Sequence, residues 1–316
     1  MTILRIALFV ALLASIAFPL AAQNDGQGRP MPYRIAETGK TYGSLAQAVA
    51  KIGGGTGTIE VQPGTWRDCV VQEAGTITYR AITPGTAIFD GGVCEGKATL
   101  VLRGRSANVE GLIFQNIAVP DENGAGIRLE RGDLNVVNSL FRDSQQGILT
   151  GEYKSGRITI DKSSFSGLGL CASDCAHSIY IGDYGSLTVT RSRFERGQGG
   201  HYVKSRAARV SITDSSFDDS NGNGSNYMID LPGGASGDIT RNIFVQGQNK
   251  ENWSAFIAVA AEGRSYTSEG LQIFDNSANL APGVSRNTFF VANWSRDRIP
   301  LGENRLGKGL TAYEQR

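Results

Sequence analysis

Histidine is nearly absent from this chain: there are 2 in 316 residues, His177 and His201. Cysteine is scarce at 4, and no long apolar run follows the first 22 residues. There is no cationic excess either, since the formal net charge is +1 and no Lys/Arg block occurs. Each shortage excludes something. Without a basic tail or stripe, nucleic acid is not an expected partner. Without a later apolar run, no membrane span is expected once the leader is removed. The Cys-x3-Cys spacing has no partner set for a zinc site. A 3.6-residue apolar period is missing except for one short segment near the start, which argues against helical repeats. Glycine is abundant at 41 but does not recur every third residue, so the chain is not collagen.

Residues 1–22 read as a secretory signal peptide. Arg5 gives a positive start, Ile6 to Phe18 is a short apolar core, and Pro19-Leu20-Ala21-Ala22 ends it with small residues. The expected location is periplasmic or secreted. Export permits disulfides, and the even cysteine count suggests Cys69–Cys94 and Cys171–Cys175. The first pair is separated by 25 residues, about one period of the repeat described next.

A phenylalanine recurs in similar company at Phe89, Phe114, Phe141, Phe165, Phe194, Phe217, Phe244 and Phe274, with gaps of 25, 27, 24, 29, 23, 27 and 30 residues. Asn or Ser often stands within two positions before it. Each interval holds two or three short alternating runs, such as Arg157-Ile158-Thr159-Ile160-Asp161, separated by Gly, Asn or Asp. Coils of three short strands and three turns need roughly 20 to 30 residues and tolerate insertions at their turns, whereas propeller blades need ~40. Stacked coils would align the phenylalanines as an internal ladder. The expectation is an all-β parallel β-helix over residues 44–297, of about nine coils at ~27 residues each. An N-terminal extension over 23–43 precedes it and a loose C-terminal tail over 298–316 follows. An open stack needs a cap, and Ser44 to Ile52 reads as a short amphipathic capping helix with Ser44 as its N-cap.

That helix, followed by Thr58-Ile59-Glu60-Val61-Gln62-Pro63-Gly64-Thr65-Trp66, resembles the opening of the pectate-lyase-like right-handed parallel β-helix family. The resemblance implies the fold and leaves activity open, because this fold hosts lyases, hydrolases, epimerases and adhesins. Val203-Lys204-Ser205 followed by Ser216-Phe217 is similar to the catalytic-lysine coil of the alginate and chondroitin lyases of polysaccharide lyase family six. That likeness implies Lys204 as the base. The sequence departs where the family has an arginine on the next coil: Asp230-Leu231-Pro232 stands there, and Arg206 would have to substitute.

Strand side chains alternate between core and solvent. With Ile179, Ile181, Val203, Ser205, Ile229 and Leu231 inward, Ser178, Tyr180, Tyr202, Lys204, Arg206, Met228 and Asp230 are expected outward. His177 and His201 open matching strands, and Glu130, Glu152 and Asp183 border the same face. Such density suits chemistry on an acidic polysaccharide by β-elimination, which needs a cation for the uronate carboxylate, a base for the C5 proton and an acid for the leaving oxygen. The expected catalytic set is Lys204, Arg206, Tyr180, Tyr202 and His201. His177, Asp183, Asp230 and Arg128 are expected to bind substrate. The pattern fixes no cofactor and leaves calcium as a candidate that Asp230 could help hold, and a monomer is expected. Two other readings remain: a polygalacturonase-like hydrolase using Asp218 and Asp219, and a glycan-binding or polysaccharide-assembly protein using the same groove without turnover.

Overall fold

The computed structural model describes residues 24, 28–171 and 175–316. The signal-peptide reading of residues 1–22 therefore lies outside the described residues. The rest is an all-β parallel solenoid of right-handed type, about nine turns long, with one helix. Three long sheets run along it, with 11, 10 and 10 strands, and from Thr56–Val61 onward successive strands of the coils fall to different sheets. A separate two-stranded sheet pairs Leu170–Cys171 with Cys175–Ala176.

The phenylalanines align because each coil returns to the same register. Phe89, Phe114, Phe141, Phe165, Phe194, Phe217 and Phe244 are direct neighbours in the second sheet. Their ring centroids lie 4.8 to 5.5 Å apart, close to the strand spacing, so the rings stack nearly parallel. Trp66 pairs with Phe89 at the start, and Ala278 follows Phe244 at the far end. Phe274 is not a rung: it ends Leu271–Phe274 in the first sheet. A lengthened interval moved this Phe one strand early, which spacing alone did not reveal.

The Ser or Asn two positions before Phe141, Phe165, Phe194, Phe217 and Phe244 has its own structural role. The backbone N–H of Ser139 donates to Ser163 Oγ, that of Ser163 to Ser192 Oγ, and that of Ser192 to Ser215 Oγ. Ser215, Asn242 and Asn276 continue the line onto Asn242, Asn276 and Asn304. A corner between two sheets leaves buried N–H groups without strand partners, and this ladder satisfies them. The preceding residues Asn138, Lys162, Arg191, Asp214, Arg241 and Asp275 all have φ between 48 and 57°, the left-handed turn that makes the corner.

The helix Leu45–Ile52 begins where expected. Ser44 Oγ accepts the N–H of Gln47, and Leu45, Ala48 and Val49 are buried against the first coils. The segments flanking the solenoid carry more paired structure than expected. Tyr33–Ile35, within the extension, pairs antiparallel with Thr56–Val61 and buries Tyr33 and Ile35. The tail over 298–316 is not loose. Arg305–Leu306 and Leu310–Gln315 pair in parallel with the last coil, and Gln315 Nε2 donates to Asn293 O at 2.9 Å. A terminal strand is held by backbone pairing on one edge, so it needs little apolar content to belong to the solenoid. Both disulfides are closed, Cys69–Cys94 and Cys171–Cys175. No helix among the described residues is long and apolar enough to cross a membrane.

Candidate functional site

The third sheet carries the site. Its outward column runs Val101, Arg128, Leu149, Tyr180, Lys204, Asp230, Ala258 and Ala292, each registered on the next. Three consecutive coils thus bring Tyr180, Lys204 and Asp230 together at strand spacing. Lys204 Nζ lies 5.6 Å from the Tyr180 ring centre and 3.8 Å from Asp230 Oδ2. Arg206 reaches back across the face, and its Nε donates to Tyr180 Oη at 3.0 Å. That bond uses an oxygen lone pair and leaves the Tyr180 O–H free to donate elsewhere.

Beside this group opens a cavity of about 440 Å³, lined among others by Lys97, Asn123, Arg128, Glu152, Tyr180 and Arg206. Arg128 Nε is buried there without a hydrogen-bond partner among the described residues. A larger cavity of about 750 Å³ lies by the helix, lined by Arg29, Met31, Trp66 and Arg67, far along the solenoid from Lys204. The smaller one carries the candidate chemistry because it adjoins the convergent polar groups.

The two histidines lie behind Asp230. Their rings stack with centroids 5.0 Å apart, and Tyr227 extends the stack at 5.6 Å. The backbone N–H of His201 donates to His177 Nδ1 at 3.0 Å. An accepting Nδ1 puts the proton of neutral His177 on Nε2. This close approach needs Gly200, whose φ is +56° and where a Cβ would stand 2.0 Å from Ala176 O and 2.5 Å from His177 Nδ1. Burial, helped by the Lys204 charge, pushes His177 down to about 3. Burial and the neighbouring His177 also hold His201 well below its ordinary value. His201 Nε2, 3.4 Å from Asp230 Oδ2, therefore meets that carboxyl as a neutral ring. Burial pushes Asp230 up to about 7, against the opposing pull of Lys204.

One residue of the site gave no signal in the sequence. Glu262 lies in the turn after Ala255–Val259, two coils beyond Lys204. Its carboxylate accepts from Lys204 Nζ at 2.7 Å and from Arg206 Nη2. Burial would raise Glu262, but the bonds from Lys204 and Arg206 outweigh it and hold the group below the usual carboxylate range. Desolvation would lower Arg206, but its bonds to Tyr180 and Glu262 outweigh that and raise it.

Four expectations fail on geometry. Tyr202 faces the core, not the groove: it is 1% exposed and donates its hydroxyl to Asp219 Oδ1 at 2.6 Å. Met228 is likewise fully buried in the core, and Ser178, at the matching position one coil before Tyr202, is buried too. Tyr202, Met228 and Ser178 precede the three-residue strands Val203–Ser205, Ile229–Leu231 and Ile179–Ile181, and stand at corners where the period-two alternation does not extend. Asp218 and Asp219 do not form an acid–base pair. Asp218 faces solvent 3.9 Å from Arg193, whereas Asp219 has no exposed side-chain surface. Asp219 instead accepts from Tyr202, Ser225, the Gly247 N–H and Lys250 Nζ inside the solenoid. Asp183 is held by Lys154 at 3.1 Å and by Tyr266. Among the described residues, no three His, Cys, Asp or Glu side chains gather into a set that could hold a metal ion.

No protein-family profile matches the chain, and no curated protein matches it. Solved structures do. The alginate lyase from Paenibacillus sp. str. FPU-7 superposes with a TM-score of 0.58 and 17% identity, over 81% of this chain and 90% of that one. The ORF18 protein of Geobacillus virus E2 gives 0.51 and 13%, over 82% of this chain and 54% of that one. The PL6 family alginate lyase AlyGC gives 0.46 and 15%, over 79% of this chain and 36% of that one. One of these structural neighbours is thus an alginate lyase. At these identities the first two likenesses show a shared fold.

Proposed function

We propose that this chain cleaves a uronate-containing acidic polysaccharide by β-elimination, acting outside the cytoplasm. The observation that carries the reading is the convergence of Lys204, Arg206 and Tyr180 on one face beside an open cavity. Arg206 and Lys204 already hold a carboxylate, that of Glu262, and the same two cations suit a uronate carboxylate. Neutralising that group makes the C5 proton acidic. Tyr180 then carries the proton: its Oη, as a phenolate paired with the Arg206 guanidinium, takes the C5 proton, the C4=C5 double bond forms as the C4–O bond breaks, and the same proton passes from Oη to the leaving oxygen, which restores the phenolate. Arg128, in the same cavity, binds a neighbouring part of the polymer. His177, His201 and Asp230 lie beneath and hold Lys204 in line. The likeness that makes Lys204 the base is a second assignment of the same residues, and Lys204→Arg separates the two. Arginine keeps the clamp but cannot serve as base near neutral pH, so retained activity supports the clamp.

No step runs through calcium. Asp230 offers one buried carboxylate with an ammonium beside it, a poor donor set for a cation that takes 6–8 oxygens. The disulfides and the alginate-lyase neighbours support an extracellular or periplasmic setting. We also read Leu45–Ile52 as the cap that closes the first coil.

The test is absorbance in the unsaturated-uronate band for purified protein with alginate, polygalacturonate and glycosaminoglycans, beside Lys204→Ala. A rise abolished in the variant supports the reading. New reducing ends without the band would make the protein a hydrolase. Binding without either product would make it a glycan-binding protein.

A further inference from the structure

Glu262 competes with substrate for the same two cations. Its carboxylate bridges Lys204 Nζ and Arg206 Nη2. These are the groups assigned above to the uronate carboxylate, so the two carboxylates cannot be held there together. We infer that Glu262 is a resident stand-in for the substrate carboxylate, and that polymer binds by exchanging one carboxylate for the other. This inference rests on the β-elimination reading.

The positions of the three groups favour exchange over permanent support. Lys204 has a second carboxylate, Asp230, beneath it, and Asp230 is almost fully buried. Glu262 approaches from the solvent side, with 45% of its side chain exposed against 13% for Lys204. Its backbone is pinned, because its N–H donates to Pro232 O at 3.0 Å and Ser265 N–H donates to Gly233 O at 2.8 Å. Rotation of the Glu262 side chain into water therefore vacates the cations without moving the turn. Exposed side chains change rotamer in picoseconds to nanoseconds, so the exchange need not slow turnover. While no substrate is bound, the stand-in supplies the partly desolvated Arg206 with a carboxylate and shares it with Lys204.

Because Glu262 must leave before substrate enters, its contacts count against substrate affinity. A partly exposed charge pair of this kind is worth up to ~1 kcal/mol, so its loss should tighten binding about fivefold. The experiment is calorimetric titration of a short oligouronate, under conditions without turnover, into wild type, Glu262→Gln, Glu262→Asp and Lys204→Ala. The inference expects Glu262→Gln to bind about fivefold tighter. Glu262→Asp, one methylene shorter and unable to span both cations, should fall between Glu262→Gln and wild type. In steady state, KM should fall more than kcat changes. Unchanged or weaker binding by Glu262→Gln, with wild-type binding still lost in Lys204→Ala, overturns the inference and leaves the β-elimination reading standing. No oligouronate binding by any of the proteins overturns both.

Discussion

Replacing His177 by Asn should flatten the acid limb of the stability profile. His177 is buried and neutral: burial, with Lys204 adding to it, pushes its pKa down to about 3, from 6.5. Arg206 acts in the same sense, and Glu262 opposes. A base depressed in the folded state binds fewer protons there than in the unfolded chain. Its stability contribution is complete above the unfolded value near 6.5 and is lost as pH falls towards 3. At pH 4 the gap is roughly 2.5 pH units, so folding is weakened by about 3 kcal/mol relative to pH 7. Asp230 acts oppositely, since an acid raised to about 7 stabilises the fold as pH falls through that value. Comparing two proteins that both keep Asp230 cancels that contribution. The substituted asparagine side chain would still offer an oxygen to the His201 N–H, so the bond at 3.0 Å can be kept. The assay is urea unfolding of wild type and His177→Asn at pH 4, 5, 6 and 7. The free-energy difference between them should shift by about 3 kcal/mol in favour of the variant between pH 7 and pH 4. Parallel profiles for the two proteins would refute the account of a neutral buried imidazole.

Tyr180→Phe should lower kcat by about 10²- to 10⁴-fold, with a smaller change in KM, if Tyr180 transfers protons; steady-state kinetics on the best substrate checks this. Lys250→Met should destabilise the fold by about 3 to 5 kcal/mol, because it removes one partner of a fully buried ion pair; urea unfolding at pH 7 measures it, and the double replacement with Asp219→Leu should recover part of the loss. Asn276→Ala should cost about 2 to 4 kcal/mol, since its side chain serves the N–H of Asn242 and the carbonyls of Ile239 and Phe274; thermal unfolding reads that loss without any substrate.

The solenoid was legible in the chain because its repeat is local. Each coil needs one inward Phe, one polar residue at the corner and a left-handed turn before it, and these recur within a few residues of one another. Register followed from stacking, so Tyr180, Lys204 and Asp230 could be aligned by counting, and so could His177 and His201. The failures came where local patterns stop. Tyr202 and Met228 sit at corners, where the backbone changes direction and alternation no longer says which way a side chain faces. Asp219 looked like half of an acidic pair, yet its true partner is Lys250, 31 residues away, and only coil stacking brings them into a 3.2 Å contact. The polar tail looked loose because pairing at a solenoid's end is made by backbone, which leaves no mark on composition. Glu262 was invisible for the same reason as Lys250: a charged residue in a turn reads as a solvated turn. Local preferences determined the fold, and the tertiary structure alone decided which distant charges meet, because a Coulombic contact depends on separation in space and not along the chain.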